Sequence, residues 1–206
     1  MSSTARARVA VLLSGRGSNY RALQEAVDQR RLPAEIVAVV SNEPEAAGLE
    51  IARAAGVPAH AIPHRGEPSR ASHEEKVRDV LERAGAEWIC LAGYMRLLSE
   101  AFVDRYRWRV LNVHPSLLPA FPGLDVHRKA LEHGVRISGC TVHLVDAGLD
   151  SGPIVVQRAV PVLDDDTPES LAARILEQEH RAYPEALERL LTGRWVLEGR
   201  RLRFRP

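Results

Sequence analysis

Cysteine is nearly missing. Cys90 and Cys140 are the only two, each lies in an apolar run, and no C-x-x-C spacing occurs. A disulfide framework is excluded, and reduced, buried thiols are expected. Lysine is as rare, with only Lys76 and Lys129. Arginine supplies nearly all positive charge, which a GC-rich coding bias explains without any function. An excess of one sign is also lacking: 28 basic against 27 acidic residues leave a formal charge of +1. That argues against a dedicated nucleic-acid binder. Long apolar runs are absent. The first, Val9 to Leu13, is five residues, far short of a signal peptide or a membrane span of ~18 or more. The expected location is cytoplasmic, with no membrane partner. No repeat or low-complexity tract is seen.

What is there is 45% hydrophobic residues over 206 positions, enough for one domain that buries about 70% of its surface. The runs Val9–Leu13, Ile36–Val40, Ala59–Ile62, Trp88–Ala92 and Val110–His114 read as buried strands. Helical spacing follows four of them: from near Ser18, over Leu49–Ala55, over His73–Ala84 after a polar Pro63–Ser72 loop, and over Leu97–Tyr106. This alternation predicts an α/β fold with a doubly wound, mostly parallel sheet. The style then changes. Gly139–Val145 and Ile154–Gln157 leave no room for a crossover helix, so an antiparallel hairpin is expected. Ser170–Leu191 reads as a helix that Pro184 ends or kinks. Trp195–Phe204 reads as a terminal hairpin whose arginines form a solvated edge. The expected domain spans 1–206, with a parallel half over 1–114 and an antiparallel and helical half over 115–206.

The turn after the first strand is Ser14-Gly-Arg-Gly-Ser-Asn-Tyr20. A third Gly or Ala at position 20 and an acidic residue ending the second strand would mark a dinucleotide site. Here position 20 is Tyr, and that strand ends in Ser41-Asn42. A nest for a single phosphate and a turn without a ligand both stay open. The stretch from Asn112 to Gly123 contains Pro115, Pro119 and Pro122. Asn112 and His114 share one strand face at a carboxyl end, where open α/β sheets bind ligands. The sharp reversal beyond them predicts a cis Leu118–Pro119 peptide. Asp150, in the Gly-flanked loop Asp146–Gly152, could orient His114. Asn112, His114 and Asp150 would then supply an oxyanion donor, a proton shuttle and a charge. Ser116 and Cys140 are the weak nucleophile candidates. His60 and His64 lie in strand and loop, and no H-E-x-x-H or Cys/His cluster exists, so no metal site is expected.

The segments Leu13–Asn19, Leu91–Arg96, Asn112–Gly123 and Leu149–Pro153 resemble the phosphoribosylglycinamide formyltransferase family of purine biosynthesis. The resemblance runs from about Val9 to about Pro184. It implies a Rossmann-like formyltransferase fold and transfer of formyl from 10-formyltetrahydrofolate to the amine of glycinamide ribonucleotide. The implied route is direct, through a tetrahedral intermediate and without a metal. The family's catalytic Asn, His and Asp fall on Asn112, His114 and Asp150. Its ribonucleotide-binding positions fall on Gly17, Ser18, Asn19 and Glu179. Its folate-binding positions fall on Arg70, Met95, Arg96, Leu97, Leu98 and Asn112, and on Asp146, Ala147, Gly148, Leu149 and Asp150. The implied partners are the two small-molecule substrates, without nucleic acid, and a homodimer is one assembly it allows. Methionyl-tRNA formyltransferases and formyltetrahydrofolate deformylases share the chemistry but carry further domains. A chain that ends at Pro206 and starts its first strand by residue 9 is expected to be neither. A binding module with a dead site is the non-enzyme alternative, and the intact triad speaks against it.

Overall fold

The apolar runs become strands in a computed structural model, which describes residues 6–205. The chain divides into two compact units, Met1–Leu111 and Asn112–Pro206. In the first, β1 (Ala7–Leu13), β2 (Ala34–Ser41), β3 (Ala59–Ala61) and β4 (Trp88–Leu91) lie in the order β3-β2-β1-β4. Every pairing among them is parallel. Val9 to Leu13 are essentially inaccessible, as expected of a parallel strand covered on both faces. The covering comes from α1 (Ser18–Asp28), α2 (Ala47–Ala54), α3 (Arg70–Arg83) and α4 (Glu100–Arg105). They bury Leu23, Leu49, Leu81 and Phe102 among others. β5 (Val110–His114) starts in this unit and ends in the second.

The second unit holds α5 (Val126–Glu132), β6 (Ile137–Leu144), β7 (Ile154–Pro161), α6 (Pro168–Thr192), β8 (Arg194–Glu198) and β9 (Arg201–Arg205). Its strand order is β5-β6-β7-β9-β8. β6 and β7 form the expected antiparallel pair, as do β8 and β9. β7 meets β9 in parallel at Ile154 and Arg201. The fold is thus α/β with a mostly parallel sheet and antiparallel C-terminal strands.

Several elements differ from expectation. α3 starts at Arg70 rather than His73, because Ser69 caps it by accepting the Ser72 N–H at 3.1 Å. Arg70 is therefore helical. α4 starts at Glu100, leaving Leu97 and Leu98 in a loop, because Ser99 accepts the Phe102 N–H and is clamped by the buried Glu74 carboxylate. α5 has no counterpart in the sequence reading. Pro184 lies inside α6 without ending it. Burial of Ala186, Leu187 and Leu190 beyond it outweighs an interior proline's cost of ~3 kcal/mol.

Gly17 caps α1 with φ +73° and no side-chain hydrogen bond. A Cβ there would stand 2.5 Å from the Cα of Gly48 on α2. The Gly48 N–H donates to the Gly15 carbonyl at 3.0 Å. A Cβ on Gly48 would meet the Leu13 side chain at 2.5 Å. Gly17→Ala and Gly48→Ala should each destabilise by about 2 kcal/mol or more. Gly15→Ala, with nothing within 4 Å, should stay within about 0.5 kcal/mol. Urea midpoints test this, and three equal shifts would show that the close approach does not matter.

Candidate active site

β5 carries Asn112 and His114 two residues apart, so both side chains leave the same face. The chain then reverses through a cis Leu118–Pro119 peptide, as the sequence led us to expect. The loop is pinned from several sides. The Ser116 hydroxyl donates to the Ala120 carbonyl at 2.6 Å, and the Thr141 hydroxyl to the Ser116 carbonyl at 2.7 Å. Leu118 N–H donates to Thr141 Oγ1 at 3.0 Å. His114 Nε2–H donates to the Phe121 carbonyl at 2.9 Å. With its hydroxyl so engaged and only 1% exposure, Ser116 is a poor nucleophile.

Asp150 comes from the loop between β6 and β7. Asp146 shapes that loop by accepting the Gly148 N–H at 3.1 Å and the Ser151 hydroxyl at 2.6 Å. Asp150 itself is left-handed, with φ +49°. Its Oδ2 accepts the Gly123 N–H at 2.8 Å and lies 3.4 Å from His114 Nδ1. Its Oδ1 is 3.5 Å from the Asn112 amide nitrogen. The side chains of His114 and Asp150 are only 6% and 10% exposed, so their attraction is weakly screened. Both nitrogens of His114 face oxygens, one a carbonyl and one a carboxylate. The structure therefore brings Asn112, His114 and Asp150 together within the second unit.

Sequence reasoning missed His143 on β6. Its Nδ1–H donates to the Leu144 carbonyl at 3.0 Å, so Nε2 keeps a lone pair, which accepts the Asn112 amide at 3.3 Å. Nε2 is also 3.8 Å from Asp150 Oδ1. Burial holds the pKa of His143 below the ordinary histidine value. His127 on α5 was missed too. Burial, and then the nearby His114, push its pKa down. A single histidine inside an apolar strand or on an unrecognised helix gave no local signal. Cys140 is buried, and burial followed by the Glu179 carboxylate raise its thiol to about 12. It stays protonated and is no nucleophile. Glu179 is buried on α6. A cleft of about 400 Å³ is lined by Leu118, Pro119, Asp150, Gly152, Ile154 and Arg200.

The other sequence candidates belong to the first unit. Gly17, Ser18 and Asn19 form the start of α1, beyond the carboxyl end of β1, and no side chain caps this start. Met95, Arg96, Leu97 and Leu98 lie between β4 and α4, with Met95 and Leu97 exposed. The Ser14 hydroxyl ties this segment to the turn: it accepts the Met95 N–H at 2.8 Å and donates to Asn42 Oδ1 at 2.5 Å. Arg70 is exposed at the start of α3. Among the described residues, no group of three or more His, Cys, Asp or Glu could hold a metal ion. None of their helices is long and apolar enough to cross a membrane.

A family model described as formyl transferase matches residues 7–187. Phosphoribosylglycinamide formyltransferase of Escherichia coli K12 is 40% identical over 93% of this chain and 88% of its own length. The trifunctional purine biosynthetic protein adenosine-3 of Drosophila pseudoobscura is 50% identical over 94% of this chain. The chain spans only 14% of that protein's length. Among solved structures, glycinamide ribonucleotide transformylase 1 of Symbiobacterium toebii superposes with a TM-score of 0.95 at 48% identity. That match covers 98% of this chain and 95% of the other.

His143 is kept neutral by burial, whereas the unfolded chain takes up its proton near pH ~6.5. Its folded pKa lies below its unfolded one, so its contribution to stability falls as pH drops below about 6.5. Thermal midpoints measured from pH 8 to 5 should fall less steeply for His143→Gln than for the wild type. Identical slopes would mean that His143 does not resist protonation.

Proposed function

The chain belongs to the formyl transferase family, and on that premise we propose that it moves a formyl group from 10-formyltetrahydrofolate to the amine of glycinamide ribonucleotide. The products are N-formylglycinamide ribonucleotide and tetrahydrofolate, in purine biosynthesis. The observation that carries the reading is the Asp150 carboxylate, held between His114 Nδ1 at 3.4 Å and the Gly123 N–H at 2.8 Å. The attacking nucleophile is the substrate's own amine, so a site without a protein nucleophile suits the reaction.

Attack on the formyl carbon puts negative charge on its oxygen. The Asn112 amide and a protonated His114 would stabilise it, each such donor contributing on the order of 3 kcal/mol. His114 Nε2–H is held by the Phe121 carbonyl, so in this reading the nitrogen that serves the reacting atoms is Nδ1, beside Asp150. His114 then passes a proton toward the departing folate nitrogen, worth ~10²–10⁴ in rate. Asp150 keeps its carboxylate beside this ring throughout. His143, neutral and accepting from Asn112, fixes which way that amide faces.

In this reading Gly17, Ser18 and Asn19 hold the ribonucleotide's single phosphate with backbone N–H groups at a helix start that no side chain caps. Glu179 serves the ribonucleotide as well. The folate is contacted by Arg70, Met95, Arg96, Leu97 and Leu98, by Asn112, and by Asp146, Ala147, Gly148, Leu149 and Asp150. In the first unit, exposed Met95 and Leu97 offer apolar surface of the kind a flat pterin prefers. We place the protein in the cytoplasm, with these two small molecules as its partners and without nucleic acid.

Asp150→Asn keeps the shape and removes the charge. It should lower kcat by roughly 100-fold or more while KM for either substrate stays within about threefold. The assay follows formylated ribonucleotide, with a parallel run lacking ribonucleotide to detect formate. Formate release that ignores the ribonucleotide would mean transfer to water. Near-normal kcat in Asp150→Asn would end the proposed role of the carboxylate.

A further inference from the structure

The Arg-rich terminal hairpin reads from the sequence as a solvated edge. Arg203 fits that description, pairing with Glu198 at 3.0 Å on the surface. Arg200 does not. It sits in the turn between β8 and β9, and its guanidinium donates to the carbonyl of Ser151, the residue after Asp150. It also lines the same cleft as Asp150. We infer that Arg200 is a positioning residue for Asp150, holding the left-handed segment that aims this carboxylate at His114.

A non-glycine residue at φ +49° is strained and persists only when its neighbours fix it. On the N-terminal side, the Asp146 turn does so. On the C-terminal side, Gly152 is pressed on the Leu144 carbonyl so closely that no side chain fits. Between them, the Ser151 carbonyl sets the rotation of its peptide plane, and Arg200 is its donor. The hairpin can act as a strut because α6 and β7 hold it. Trp195 Nε1–H donates to the Leu190 carbonyl at 3.2 Å, and Arg189 stacks over the Phe204 ring at 4.4 Å. β9 joins β7 at Ile154, three residues past Ser151. The family match ends at residue 187, so Arg200 lies outside the part of the chain that it describes.

The inference rests on the proposed role of Asp150 in formyl transfer, which Asp150→Asn tests separately. Arg200→Ala, Arg200→Lys and Arg203→Ala are compared by steady-state kinetics, pH–rate profile and thermal midpoint. Arg200→Ala should lose about tenfold in kcat, with both KM values within about twofold. Its pH–rate limb should shift, and its midpoint should stay within about 2 °C of the wild type. Arg200→Lys, which can still donate to one carbonyl, should recover most of the loss, and Arg203→Ala should change nothing. Unchanged kcat and pH profile in Arg200→Ala would overturn the inference. So would a loss confined to KM, or one matched by Arg203→Ala. Near-normal activity in Asp150→Asn would remove the reading of Asp150 itself.

Discussion

A carboxylate buried to the extent of Asp150 must be compensated or it would cost several kcal/mol. Its compensation comes from two stretches of chain: Gly123 in the proline-rich loop gives a backbone N–H, and β5 gives His114 and Asn112. None of these groups can move without leaving the charge short of a partner. The loop, the strand end and the carboxylate are therefore one unit energetically, and the geometry that suits the chemistry is also the geometry that lets the charge be buried. His143 adds no charge here, since burial keeps its pKa below the ordinary histidine value.

In the first unit a neutral group has a comparable office. The Ser14 hydroxyl donates in one direction and accepts in the other, joining the end of β1, the end of β2 and the Met95 segment through one oxygen. Asn42 extends the chain by donating to His64 Nδ1 at 3.1 Å. Small hydroxyls and amides do what longer side chains could not, because the carboxyl ends of adjacent parallel strands leave little room.

Much of this was legible beforehand, for identifiable reasons. Buried parallel strands are continuous apolar runs, so β1, β2 and β4 stood out. Asn112 and His114 were legible as neighbours because strand geometry forces residues two apart onto one face. Other features hid. The seven residues of α5 are too few for a helical period to emerge. The start of α3 lay in a polar stretch where only the Ser69 hydroxyl bond decides the boundary. Pro184 did not end α6, because tertiary burial overrode a local rule. The contacts of His143 and Arg200 could not be read at all, since each is made to a partner far away in sequence, Asn112 for one and Ser151 for the other.

The contact of Gly17 with Gly48 has a consequence for what the first turn can ever hold. Dinucleotide-binding turns need room for two linked phosphates beside the helix start. Here the second helix is seated directly on the turn, glycine against glycine, with a backbone hydrogen bond closing the gap. Widening the nest would require lifting α2 away and breaking its packing on Leu13 and the strands below. For the phosphate proposed there, the limit on size would be set by a neighbouring helix rather than by any side chain of the turn.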